Sequence, residues 1–451
     1  MIPRILVGLI GLGLVVFIHE LGHFIIARLS GIEVEAFSIG WGKPIFTKRI
    51  GNVEYRIGSL PIGGYCKMKG ETEFQDALAQ RKDEIPREKG TFYGSPPLKR
   101  IAVAFAGPAA NAIFAILALA AVWGCGIEVR TLGNRIVLAS EVEIGNKFPA
   151  DEAGLKTGDF ITAIEGRKVS NFQEVQEGLA PFAGKRLDIQ IERDGATSNV
   201  FVVPRLDPST GAGKIGVYFW NDPIIDIVKK GTPAAIAGIR LGDRIVEANG
   251  KKLNNTVELT GVLKSHPSSL KLLVDRKGEK LEKTLVLSWA DNGTAETGMT
   301  FATIRYRTPT LTPPAALVKG FQETVKTFVF SLKSMALLFQ GIDLTKAVSG
   351  PVRITYMLGD VAADGFGEGI GEGLSAVASF LALLSIALFV MNLLPIPALD
   401  GGLILLFLIE LIRGKALKPK TVYVFQLVGT AIVFGLLLFS LFGDILFLIG
   451  R

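Results

Sequence analysis

The sequence predicts a polytopic α-helical membrane protein with four transmembrane helices, a membrane-associated β-hairpin or small sheet, and two tandem α+β domains outside the cytoplasm. Three observations predict it. Hydrophobic residues make up 49% of the 451, and the mean hydropathy of +0.40 is above that of a soluble chain. Four apolar stretches, at about 5–27, 101–124, 374–394 and 422–449, each approach the ~20 residues that a span requires. Between the second and third lies a long polar segment that repeats itself after about 84 residues, a domain-sized period and not that of a solenoid.

The first stretch carries Phe17-Ile18-His19-Glu20-Leu21-Gly22-His23-Phe24. A four-residue spacing puts His19 and His23 one above the other on one helical face, with Glu20 one step round. Two imidazoles so placed can hold one Zn²⁺, and the adjacent carboxylate can take a proton from a water that the metal activates. The chain has 3 histidines and spends two of them here. Ionisable groups inside an apolar run are costly to keep, so function is their default reading; the bland alternative is a hydrogen-bonded structural cluster. The stretch is long and lacks a small-x-small cleavage site, so it is expected to be a retained span and not a removed signal peptide.

After this span, Ser38–Gly42 and Val53–Tyr65 read as short strands with Gly and Pro turns. An edge near Gly58–Tyr65, with Gly63 and Gly64 in it, can pair with a substrate in extended form; a plain packing hairpin is the alternative. Glu71–Gly90 is charged and poor in aliphatics, as in a surface helix or a mobile loop. The second span opens with Ala106-Gly107-Pro108-Ala109-Ala110-Asn111, whose small residues allow close approach to the motif helix and whose Asn111 can hydrogen-bond across the contact. A proline kink serving packing alone is the other reading.

In the polar segment, Pro149-Ala150-Asp151-Glu152-Ala153-Gly154-Leu155-Lys156-Thr157-Gly158-Asp159-Phe160-Ile161 realigns with Pro233-Ala234-Ala235-Ile236-Ala237-Gly238-Ile239-Arg240-Leu241-Gly242-Asp243-Arg244-Ile245, and the match continues to Gly166 and Gly250. Each copy reads as a short helix, a Gly-Asp turn, a strand and a Gly turn. This resembles the PDZ domain of bacterial protease-associated proteins, which implies either a peptide-binding sheet edge or a steric filter over a membrane site. His266, in a Ser-His-Pro-Ser-Ser loop, reads as a solvated histidine and not as a ligand.

Further on, Phe321, Val325, Phe328, Leu332 and Met335 fall at helical spacing within Ala315–Gly341, so this segment is an amphipathic helix on the membrane surface or a core helix under the repeats. Gly359–Gly373, glycine-rich and acidic, reads as a flexible connection. A catalytic zinc wants three protein ligands, and the third is expected from Met391-Asn392-Leu393-Leu394-Pro395-Ile396-Pro397-Ala398-Leu399-Asp400-Gly401-Gly402. Two prolines before Asp400 and two glycines after it suit irregular backbone lining a watery cavity. Glu410 is its competitor. Asn392 can hydrogen-bond the substrate backbone or a developing oxyanion, or simply pack a helix.

Charge supports a membrane topology. The net +7 is concentrated in Arg28, Lys43, Lys48, Arg49, Arg56, Lys67, Lys69, Lys99 and Arg100 after the first span, and in Arg413, Lys415, Lys418 and Lys420 before the fourth. The positive-inside rule makes both loops cytoplasmic and puts the repeats outside, and no nucleic-acid partner is expected. Cys66 and Cys125 then lie on opposite sides of the membrane and do not pair.

His-Glu-x-x-His in the first span, the late Leu-Asp-Gly and the repeated modules between spans two and three together resemble the site-2 protease family of intramembrane zinc metalloproteases. The resemblance covers essentially the whole chain. It implies His19, His23 and Asp400 as zinc ligands, Glu20 as catalytic base, and Asn392 with Pro395 and Pro397 as substrate-positioning residues. It implies substrates that are single-span membrane proteins already trimmed on the outer side, such as anti-sigma factors and remnant signal peptides, with the PDZ pair excluding intact ones. A bacterial inner-membrane location follows, with periplasmic PDZ domains and a site near the cytoplasmic side. Two rivals stand beside this: a membrane PDZ scaffold without proteolysis, and a membrane-anchored zinc peptidase acting on misfolded exposed segments. The expected partition is 1–27 first helix, 28–97 cytoplasmic β region and loop, 98–124 second helix, 125–208 and 209–308 the two PDZ domains, 309–345 amphipathic segment, 346–373 flexible linker, 374–394 third helix, 395–420 aspartate motif and basic loop, and 421–451 fourth helix.

Overall fold

The computed structural model describes residues 2–126, 128–143, 145–208, 211–289, 293–337 and 350–449. Two compact units emerge, one of Met1–Ile127, Thr308–Met335 and Val348–Leu446, the other mainly Glu128–Arg307. Among the described residues, four helical segments are long and apolar enough to cross a membrane: Ile5–Leu29, Pro97–Cys125, Ile370–Leu393 and Pro419–Leu446.

In the first unit, α1 (Ile2–Leu29) leads into a two-stranded ribbon, β1 (Val34–Ile50) and β2 (Val53–Met68). The expected short strands are therefore longer, because Pro44 and Gly58 bend the ribbon without ending it. It folds back on itself so that Phe37 has Cys66 on one side and Tyr55 on the other. The inner half buries Val34, Ala36 and Phe37, and the Phe37 ring meets Phe17 and Phe24 of α1 edge-on, while 43–50 faces outward throughout. Next comes α2 (Glu71–Ala79), within the segment read as a surface helix or loop. Its Phe74 is buried and stacks on Tyr93 at 5.2 Å, so the segment is anchored by an apolar stripe among its charges. Then α3 (Pro97–Cys125) begins, as proline-led helices do.

The second unit holds two modules of like design. Residues 160–164, 167–168, 187–193 and 196–202 form one four-stranded sheet, and 244–248, 251–252, 269–276 and 279–286 another. Short helices α4 (Pro149–Glu152) and α5 (Phe172–Leu179) serve the first, α6 (Pro233–Ile236) and α7 (Thr256–Leu263) the second. The repeat extends to polar detail. Arg193 binds the buried Asp159 at 2.6 Å and Arg276 binds Asp243 at 2.7 Å, while Asn171 and Asn255 cap α5 and α7. The expected boundary at 208/209 is corrected: Ile215 lies in the first module's core, and Val217–Phe219 pairs with Ile136–Leu138. Each module closes with a late strand, the second with Met299–Phe301 against Ile225–Val228.

Back in the first unit follow α8 (Pro313–Leu337), α9 (Pro351–Glu368), α10 (Ile370–Leu393), α11 (Asp400–Arg413) and α12 (Pro419–Ile449). The expected amphipathic segment is helical as far as 337, with 338–345 outside the described residues. It lies against other helices: a Cβ on Gly320 would be 2.8 Å from the Ala120 nitrogen of α3, and Phe328 meets Phe389 of α10 at 5.4 Å.

The flexible linker expected at 346–373 is corrected as well, its first four residues lying outside the described ones. α9 packs on α1, where a Cβ on Gly8 would overlap the Thr355 backbone. Thr355, Leu358 and Ala362 form its buried stripe, and two of the glycines that suggested flexibility, Gly365 and Gly373, let α9 and the helix after it approach closely, a Cβ on Gly365 falling 2.9 Å from Gly373 Cα, while Gly367 and Gly371 face open space. Asp444 of α12 caps the start of α9, accepting from Gly350 N at 3.0 Å and Val352 N at 2.9 Å. The basic loop expected at 395–420 is mostly α11, whose Leu406 and Phe407 are buried with Phe74 and Val422.

Candidate active site

Helix geometry places the two motif imidazoles together, with their Nε2 atoms 3.2 Å apart. α3 backs them. A Cβ on Gly107 would overlap the His23 ring and come within 2.8 Å of His19 Cε1, so only glycine leaves room there. His23 Nδ1 donates to the Val103 carbonyl at 2.7 Å, which leaves Nε2 as a lone pair directed at His19 and at Asp400.

Asp400 arrives from the far end of the chain. Ala398 adopts a left-handed φ of 74°, rare for a residue with a side chain, and α11 then starts at Asp400. A Cβ on Gly401 would overlap the Leu393 and Leu394 carbonyls, and one on Gly402 the Ile396 carbonyl, so both glycines are needed for the chain to double back. The Asp400 carboxylate lies 3.2 Å from His19 Nε2 and 3.5 Å from His23 Nε2.

These three donor atoms test whether a metal fits. Bonds of about 2.0–2.1 Å in a tetrahedral zinc site put neighbouring ligand atoms about 3.3 Å apart; here the two Nε2 atoms are 3.2 Å apart, with Asp400 Oδ2 3.2 Å from that of His19 and Asp400 Oδ1 3.5 Å from that of His23. Asp400 Oδ2 is buried and satisfied by no hydrogen bond. Lone pairs that converge without hydrogens between them call for a cation, and among the described residues this is the one such group of three.

A cavity of about 340 Å³ opens beside the triangle, lined by Glu20, Tyr65, Cys66, Phe92, Asn392 and Leu403 among others. Glu20 is thus brought to the same space as the donors, and its Cγ lies 3.3 Å from where a Cβ on Gly64 would be. Gly64 accepts a hydrogen bond from Trp41 at 3.2 Å, and a Cβ on Gly63 would press on the Trp41 ring. Asn392 lines the cavity; Pro395 and Pro397 do not, and Pro397 instead packs on Gly429 of α12. Burial, and then the neighbouring Glu20 carboxylate, push the Cys66 thiol up to about 12, so it lines the cavity uncharged at neutral pH.

Glu410, the alternative third ligand, is committed elsewhere. Arg100 grips it at 2.6 and 3.2 Å, Arg87 stands 3.7 Å away, and the Arg100 guanidinium lies 4.6 Å over the Phe407 ring. Arg100, read as a flanking topology charge, is therefore a buried partner. The roles of Val103 and Gly107 were not legible, since a small residue in a span signals packing alone; Asp444 was missed because a single acid in a long apolar run shows no partner in sequence.

Comparison with known proteins points to the same class of chemistry. The model of peptidase family M50 matches residues 7–436. A Treponema pallidum protein, provisionally named as a zinc metalloprotease, is 38% identical over 446 residues, 99% of each chain. A Borreliella burgdorferi protein of the same name is 31% identical over 97% of this chain and 96% of its own. The regulator of sigma E protease of Haemophilus influenzae is 29% identical over 97% of each. With its sequence matched from the first span to the last, the chain belongs to peptidase family M50.

Proposed function

We propose that this protein is a zinc endopeptidase that cuts within the membrane-spanning segments of single-span membrane proteins. The observation that carries the reading is the donor triangle of His19, His23 and Asp400, with the Glu20 carboxylate at the cavity beside it. The family and the names of its metalloprotease relatives support zinc as the cofactor.

His19, His23 and Asp400 would hold the ion, two neutral donors and one anionic. Zinc, when bound, supplies a Lewis acid that acidifies water and polarises a carbonyl. Glu20 accepts the proton of the attacking water and returns it to the leaving amine. Asn392 hydrogen-bonds the substrate backbone or the developing oxyanion from the cavity wall. A substrate helix hides its carbonyls in internal hydrogen bonds and must open before attack; pairing with β2 around Gly63 and Gly64 offsets part of that cost. Pro395 and Pro397 act on substrate only through the turn that carries Asp400.

The substrate class is single-span proteins already trimmed outside the membrane, such as an anti-sigma factor after its first cut, or remnant signal peptides. The name of the Haemophilus relative supports the sigma-pathway part. The enzyme resides in the bacterial inner membrane, with the two modules acting as periplasmic PDZ domains and the cavity near the cytoplasmic side. Their role is to admit short outer ends. A cavity of about 770 Å³ in the second unit, walled by Val257, Thr260, Leu263, Met299 and Phe301, supports a peptide-binding part in addition to a filter.

The test compares purified wild type with Glu20→Gln on a single-span substrate, with and without its outer domain. The reading expects bound zinc in both proteins, and cleavage inside the span by wild type alone and only after trimming. Product masses that map outside the span, or equal turnover by Glu20→Gln, would refute it.

A further inference from the structure

Asn111 of α3 is fully buried, and its Oδ1 has no hydrogen-bond partner. Its Nδ2 lies 3.4 Å from Nδ1 of His19. That imidazole turns its other nitrogen, Nε2, towards His23 and Asp400, 3.2 Å from each. A neutral imidazole that offers Nε2 as a lone pair carries its hydrogen on Nδ1. An amide nitrogen facing that Nδ1–H opposes donor to donor, whereas the amide oxygen in the same place accepts it. The two ends of a carboxamide are alike in shape, so half a turn about its last bond makes the exchange without moving a neighbour. In either orientation one end lacks a protein partner; the turn gives Nδ1–H its acceptor.

The helix already treats the companion histidine this way, since Val103 O accepts from His23 Nδ1. Val103, Gly107 and Asn111 follow one another at four-residue intervals on one face of α3, the first and last meeting an Nδ1 and the middle one making room for both rings.

We infer that Asn111 is a positioning residue for His19: with Oδ1 turned to Nδ1, it holds the imidazole in the tautomer and orientation that present Nε2 to zinc. The inference rests on the ligand assignment proposed above. A second group that fixes the tautomer of a metal-binding histidine typically carries about 10–100-fold in metal affinity.

The experiment measures zinc affinity by chelator competition on purified wild type, Asn111→Leu and Asn111→Asp, and the visible absorption of each with cobalt in place of zinc. Leucine fills the position but accepts nothing; aspartate accepts from Nδ1–H as the amide oxygen does. Asn111→Leu is expected to bind zinc about 10–100-fold more weakly and to alter the cobalt spectrum, while Asn111→Asp keeps both near wild type. A packing role predicts the reverse order, because leucine suits a buried apolar contact and aspartate buries a charge. If leucine prevents folding, Asn111→Ala carries the same expectation. Wild-type affinity and spectrum in the leucine or alanine variant, or equal loss in Asn111→Asp, would overturn the inference. Wild-type protein without zinc, or His23→Ala that binds it normally, would instead remove the ligand assignment, and this inference with it.

Discussion

A methyl group on Gly107 would overlap the His23 ring, yet alanine is the better helix former, so Gly107→Ala separates site geometry from stability. The expected result is an intact fold with turnover lowered by about 100-fold, the scale of a displacement near 1 Å in a catalytic group. Turnover within a few-fold of wild type would show that the rings have slack. At this scale, His19, Glu20 and His23 were legible because all three sit within one helical turn and a half, where spacing alone decides which side chains meet. Asp400 was legible because its prolines and glycines announce a turn between apolar stretches. The backing residues were not: Val103 contributes a carbonyl that every residue has, and Gly107 contributes the absence of a side chain.

Between elements, the Arg100–Glu410 pair ties α3 to α11, and α11 carries Asp400 at its first turn. Glu410→Gln leaves the buried guanidinium without its counter-charge, which costs about 3–5 kcal/mol. The melting temperature should fall and turnover with it, while the zinc content of the folded fraction stays as in wild type. A Glu410→Gln protein that folds but loses its zinc would make Glu410 a ligand after all. The ribbon offers a separate check: Gly64→Pro removes a backbone donor from β2 and should slow cleavage of a membrane-spanning substrate, and unchanged cleavage would count against strand pairing. Four spans were legible since an uninterrupted run of about 20 apolar residues suits little besides a bilayer crossing. α9 was not, because glycine and acid content look alike in a linker and in a helix whose glycines accept neighbours.

For the whole molecule, the duplicated modules divide the chain, and their period was legible from the Gly-Asp turns alone. The exact boundary was not, since the closing strand at Val217–Phe219 pairs with residues about 80 positions earlier and leaves no local mark. The Asp243–Arg276 pair gives this unit a pH signature. Burial raises the Asp243 carboxyl, but Arg276 and the Arg240 N–H outweigh it and hold the pKa below the ordinary value. A depressed folded pKa contributes stability above the unfolded value of about 3.9, and that stability is lost as pH falls through and below it. Hydrogen exchange in strand Ser269–Arg276, corrected for intrinsic rates, should therefore accelerate below about pH 4. In Arg276→Ala it should be fast already at neutral pH, and a protein whose exchange ignores both changes would contradict the pairing.

The central claim concerns one ion bound between the first span and the start of α11. X-ray absorption at the zinc edge of the detergent-purified protein tests it directly. The account predicts one zinc per chain with two imidazole nitrogens at about 2.0–2.1 Å and a carboxylate oxygen at about 2.0–2.2 Å, the oxygen contribution disappearing in Asp400→Ala. A zinc-free protein, a shell without imidazole, or an Asp400→Ala spectrum identical to wild type would contradict it.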